Sequence, residues 1–97
     1  MNRLTKITLD PNSDSYQLIF FNEKCFLEGD YYHEKVSEKW DGMKDFIYIA
    51  ELDNVEFEEL EFTPRDKNKE LWELDIECSG RELNDYINDI SKDFSLE

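Results

Sequence analysis

Trp72-Glu73-Leu74-Asp75-Ile76-Glu77-Cys78 alternates apolar and acidic side chains without a break. Successive side chains of a strand point to opposite faces. The pattern therefore predicts a half-buried β-strand with Trp72, Leu74, Ile76 and Cys78 on a core and Glu73, Asp75 and Glu77 in water. Ser79-Gly80-Arg81-Glu82 follows with capping-box spacing, Ser79 and Glu82 each set to satisfy a free amide at the start of a helix. Leu83, Tyr86, Ile87, Ile90 and Phe94 then recur as the apolar stripe of that helix.

Working upstream, Thr63 to Lys69 reads as a turn, and Val55–Phe62 as a strand that changes parity midway. Val55 and Phe57 point one way, Leu60 and Phe62 the other, and a bulge near Glu58-Glu59 would reconcile them. Phe46-Ile47-Tyr48-Ile49-Ala50 is apolar on both faces, as expected of a central strand covered on each side. Before it, Tyr32, Val36 and Trp40 repeat at helical spacing, with Asp30 as N-cap and Gly42 as C-terminal stop. Leu4, Ile7 and Leu9 mark a first strand, Asp10 to Asp14 a turn, Tyr16–Phe21 its hairpin partner and Cys25–Glu28 a short third strand. The expected architecture is α+β: an antiparallel β-sheet of about five to six strands, a short inserted helix and a C-terminal amphipathic helix packed on one face.

Composition sets limits on this unit. Its 97 residues hold 25 acids and 11 bases, a formal charge of −14. Such an imbalance favours disorder, yet seven Phe, five Tyr and two Trp supply the bulky apolar surface that disordered chains lack. Surface scaling gives about 17,000 Å² exposed unfolded and about 5,900 Å² folded, enough for one core, so residues 1–97 are read as a single domain.

Several chemistries are opposed. Gly29, Gly42 and Gly80 stand alone, so neither glycine-rich phosphate-binding motif is present and no cofactor is expected. No apolar block fits a signal peptide or a membrane span. Cys25 and Cys78, 53 positions apart, read as buried free thiols in a reducing compartment, which suggests a cytoplasmic protein. His33 is the only histidine and belongs to no zinc-binding pattern, so no metal site is expected. Asp10-x-Asn12-x-Asp14 opens like a calcium loop, but Ser15 stands where glycine is needed and Phe21 where the closing glutamate is needed. Nothing singles out a catalytic pair of carboxylates, and no enzyme is expected. Nucleic acid and anionic membranes are opposed as direct ligands, because both demand a cationic surface.

The acids are ordered. Residues 1–44 carry net −2 and residues 45–97 net −12. Glu51, Asp53, Glu56, Glu58, Glu59 and Glu61 fall in a stretch without a base. Glu73, Asp75 and Glu77 would repeat about every 6.6 Å along a strand. Glu82, Asp85, Asp89 and Asp93 would step by about 5–6 Å along a helix flank. Both spacings approach those of phosphates on a nucleic-acid strand. Like charges at i, i+4 and acids in the last turns weaken a helix, so this arrangement opposes stability. Tyr48 and Tyr86 lie near enough to the acids to serve as anchors.

The expected function is a non-enzymatic acidic inhibitor of a basic nucleic-acid-acting protein. It would act as a nucleic-acid mimic, either as an immunity protein against a nuclease toxin or as a phage product that disarms a restriction or CRISPR nuclease. The alternative is a small acidic assembly, adaptor or secretion-chaperone-like module acting through a homodimer or hetero-complex interface.

Overall fold

The computed structural model describes residues 1–12 and 14–97; Ser13, in the expected turn after the first strand, lies outside them. The elements run β1 (Asn2–Leu9), β2 (Tyr16–Phe21), β3 (Lys24–Asp30), α1 (Val36–Ile49), β4 (Val55–Pro64), a 3-10 turn (Leu71–Glu73), α2 (Leu83–Ile90) and β5 (Phe94–Leu96). They form an α+β fold around one five-stranded sheet of order β3-β2-β1-β4-β5. The sheet is mixed and not wholly antiparallel. β1, β2 and β3 form a meander, then α1 crosses over the sheet and delivers β4 parallel to β1. β5 closes the other edge antiparallel to β4.

The crossover overturns the reading of Phe46–Ala50 as a central strand. Val36, Trp40, Met43 and Ile47 continue one helical stripe straight through Gly42, and all four pack on the sheet with Leu4, Ile19, Leu27, Val55 and Phe57. Gly42 does not stop the helix. It sits on the solvent side with nothing near the position a Cβ would take. Asp30 does not cap the helix either; its carboxylate accepts the His33 N–H at 2.7 Å in the turn that precedes α1. These bonds hold the Asp30 carboxyl below its ordinary range.

The parity change in β4 needs no bulge, because its pairing with β1 runs unbroken from Val55 to Phe62. Each face of the sheet is covered at a different end. Val55 and Phe57 face α1 beside Leu4, whereas Leu60 and Phe62 face α2 beside Ile7 and Leu9. The irregularity lies instead in β3, where the register with β2 shifts between Ile19 and Phe20 and leaves Phe26 as the extra residue.

Trp72–Cys78 is not a strand. No strand pairing includes it among the described residues. It is a strap laid across the α2 face, where Leu71, Leu74, Ile76 and Cys78 pack on the core and Asp75 and Glu77 face water. An extended segment on an apolar surface shows the same period of two as a ladder strand. Glu70 and Glu73 form a reciprocal capping box for the 3-10 turn, and Trp72, in that turn, is 78% exposed. Side chains hold the strap. The Tyr86 hydroxyl donates to the Ile76 carbonyl at 2.6 Å, the Cys78 N–H donates to Glu28 at 2.9 Å, and Arg81 donates to the carbonyls of Cys78 and Glu77.

Ser79 is left-handed (φ 52°) and so is Gly80 (φ 78°), which removes Ser79 from the N-cap role assigned to it. Helix α2 begins at Leu83, where the Glu23 carbonyl accepts the Leu83 N–H at 2.9 Å. Leu83, Tyr86 and Ile90 are buried as the stripe requires, and Phe94 joins the same cluster from β5. No helix among the described residues is long and apolar enough to cross a membrane. The accessible surface of 6421 Å² exceeds the scaled expectation because the molecule is elongated, 44 × 26 × 23 Å.

Candidate functional site

The corner where α1 turns into β4 combines backbone strain, acid and exposed apolar side chains. Helix α1 ends in a Schellman arrangement: the Glu51 N–H reaches the Tyr48 carbonyl at 3.2 Å and the Leu52 N–H reaches the Ile47 carbonyl at 3.0 Å. The motif requires a left-handed residue after the C-cap, a place glycine usually takes. Glu51 occupies it with φ 55°. Its carboxylate also stands at the negative end of the helix dipole, and no basic residue lies in the last turn. Helix periodicity turns Phe46, Tyr48 and Ile49 away from the sheet, leaving them 66%, 85% and 78% exposed. Ile47, Tyr48, Leu52, Val55 and Phe57 line a groove of about 570 Å³ together with Lys44, Glu51 and Asp53.

The other expected acids are dispersed by the fold. In β4, Glu56 and Glu58 share the face of Leu60 and Phe62, whereas Glu59 and Glu61 share the opposite face with Phe57. Glu56 pairs with Arg3 at 3.1 Å and Glu59 with Lys6 at 3.1 Å. Glu61 stands beside Glu97, whose carboxyl is raised by desolvation and by this neighbour. Glu73 is occupied by its capping box. Arg81 gathers Asp75 and Asp89 at 3.2 and 3.0 Å. Partial burial would lower the Arg81 pKa, but hydrogen bonds and charge from Asp89 and Asp75 outweigh it, and the guanidinium sits above its ordinary value.

The proposed helix flank is shorter than its spacing implied. Only Asp85 and Asp89 lie within α2; Glu82 precedes it and Asp93 falls in the turn before β5. Asp85 is in the first turn, where the helix dipole favours an acid. Glu77, Glu82 and Asp85 are exposed and form no ion pair among the described residues.

Tyr86 is no surface anchor. It is fully buried against Phe20, with ring centroids 5.7 Å apart, and burial pushes its hydroxyl pKa upward. Of the two tyrosines, only Tyr48 is placed to touch a partner. Sequence reasoning missed Phe46 and Ile49 because it put Phe46–Ala50 inside the sheet, and Leu52 because it read that stretch only for its acids. It also missed that Cys25, Glu28 and Cys78 meet, since spacings of 3 and 50 residues match no ligand motif.

No protein-family model, curated protein or solved structure matches the chain.

Proposed function

We propose that the protein is a non-enzymatic acidic inhibitor that binds a basic nucleic-acid-acting protein, such as a nuclease, and occludes its nucleic-acid groove. The α1–β4 corner carries this reading. Glu51 sits where helix stability favours glycine or a cation, at the groove that the exposed Tyr48 lines. Asp10, Asn22, Lys35 and Ser79 are left-handed too, but Glu51 alone of the five lines the apolar groove at the end of α1, and strain beside exposed apolar surface is a mark of a functional site. Tyr48 supplies the anchor, Glu51 and Asp53 the acid rim, and the excess negative charge of the whole chain steers a cationic partner toward them. The reduced thiols fit action inside the cytoplasm, in the setting of toxin immunity or phage counter-defence.

The test uses a basic nuclease captured at low salt on the immobilised protein and assayed for cleavage with and without it. Cleavage should be inhibited, and capture should weaken steeply with salt. Tyr48→Ala and the pair Glu51→Lys/Asp53→Lys should abolish both effects with the fold intact. Undiminished inhibition by these variants would sink the proposal. Reversing Glu73 and Asp75 is less informative, because it would remove a turn cap and set a second cation against Arg81.

A second cleft favours the adaptor reading. Leu4, Phe21, Phe26 and Met43, with Lys24 alone for charge, line about 460 Å³ beside the open β3 edge. An interface built there would be apolar, so a homodimer or hetero-complex persisting in sedimentation at high salt would favour this reading over electrostatic capture.

A further inference from the structure

Cys25 and Glu28 lie three residues apart on β3, a spacing that would turn them to opposite faces of a regular strand. The bulge at Phe26 restores them to one face, opposite Phe20 and Leu18 respectively. Cys78 arrives from the strap on the same side, and its own N–H donates to Glu28 Oε1 at 2.9 Å. The Tyr16 hydroxyl donates to that same oxygen at 2.7 Å. Oε1 is thus held by two donors, while Oε2 faces the Cys25 sulfur at 3.7 Å. The two sulfurs and a carboxylate oxygen all lie within 4.8 Å of one another.

We infer that Cys25, Glu28 and Cys78 form a three-ligand zinc site that ties the strap to β3. Two thiolates and a carboxylate suit a borderline-soft divalent ion, and ligand atoms across a tetrahedral zinc stand about 3.5–3.8 Å apart, within a small side-chain adjustment of the geometry seen. The hydrogen bonds from Tyr16 and the Cys78 N–H orient the carboxylate as outer-shell partners orient a ligand. A cleft of about 240 Å³, also lined by Lys24, Gly80, Arg81 and Glu82, opens onto the three ligands and leaves the fourth position to water.

Binding forms two Zn–S bonds and one Zn–O bond. The two thiol protons pass to solvent. Two thiolates and one carboxylate leave the occupied site with a single net negative charge, in a cleft also lined by two cations, Lys24 and Arg81, and one acid, Glu82.

The probe is cobalt(II), added without oxygen to the full chain after reduction and chelator treatment. An equimolar complex should show thiolate-to-cobalt charge transfer and the intense visible bands of a four-coordinate ion, and zinc should displace it. Cys25→Ser and Cys78→Ser should each remove the charge-transfer signature of the pair, with folding checked by circular dichroism. Tyr16→Phe leaves all three ligands in place and should weaken cobalt binding roughly 10–100-fold. Absence of charge transfer, a spectrum unchanged in Cys78→Ser, or unchanged affinity in Tyr16→Phe overturns the assignment. So does a chain that takes no metal and instead forms a Cys25–Cys78 disulfide under peroxide.

Discussion

Replacing Glu51 by glycine should make the protein more stable and a weaker binder at the same time. A non-glycine residue in the left-handed region costs about 1–2 kcal/mol. Glycine returns part of that gain, roughly 0.5–1 kcal/mol, through the extra freedom of the unfolded chain. Removing a carboxylate from the negative end of a helix adds a further 0.3–1 kcal/mol or so. Glu51 forms no ion pair among the described residues that the change would break. The net gain is about 1 kcal/mol, which for a domain of this length raises Tm by roughly 4–8 °C. Urea unfolding should show a higher midpoint with an unchanged slope. Capture of a basic nuclease should weaken by roughly two- to five-fold at low salt, the scale of one exposed charge pair, with the difference fading as salt rises. A loss of stability would refute the account of strain at the helix end. A gain in stability with unchanged capture would refute the role given to the corner.

Four further substitutions probe the fold. Gly42→Ala should stabilise the chain by roughly 0.5–1 kcal/mol in urea unfolding, because the glycine lies inside a helix with open space around it; destabilisation would return it to the role of a stop. Tyr86→Phe should cost about 1 kcal/mol and lower hydrogen-exchange protection around Ile76, while leaving nuclease capture unchanged, since it removes a buried hydroxyl and not an anchor. Thr5→Val should raise the urea midpoint by an equivalent of about 1 kcal/mol, because the Thr5 hydroxyl is buried without a hydrogen-bond partner among the described residues. Gly29→Ala should destabilise by about 1–3 kcal/mol, as an added Cβ would collide with Glu34 in the turn folded over β3; unaltered thermal unfolding would show that the turn yields freely.

The sequence by itself determined the α+β class, the β1–β2 hairpin, the short third strand and the inward stripe of α2. Each of these follows from local periodicity and turn chemistry, which act within a few residues. It also determined the excess of acid and its concentration after residue 44. Tertiary structure decided what two of the apolar patterns meant. Val36–Ile49 is a helix because its stripe finds the sheet, and Gly42 costs too little to interrupt it. Trp72–Cys78 alternates because Leu74, Ile76 and Cys78 lie on a core, and burial of one side does not by itself bring a segment alongside a sheet edge. Pairing with Arg3, Lys6 and Arg81 took Glu56, Glu59, Asp75 and Asp89 out of the free acid surface. Helix termination left Glu51 and Asp53 at a corner beside Tyr48. The meeting of Cys25, Glu28 and Cys78 depends on a bulge and on a strap crossing the sheet, and neither leaves a mark in residue spacing. Periodicity reports which side of a segment is buried; the partner that buries it is chosen by the rest of the chain.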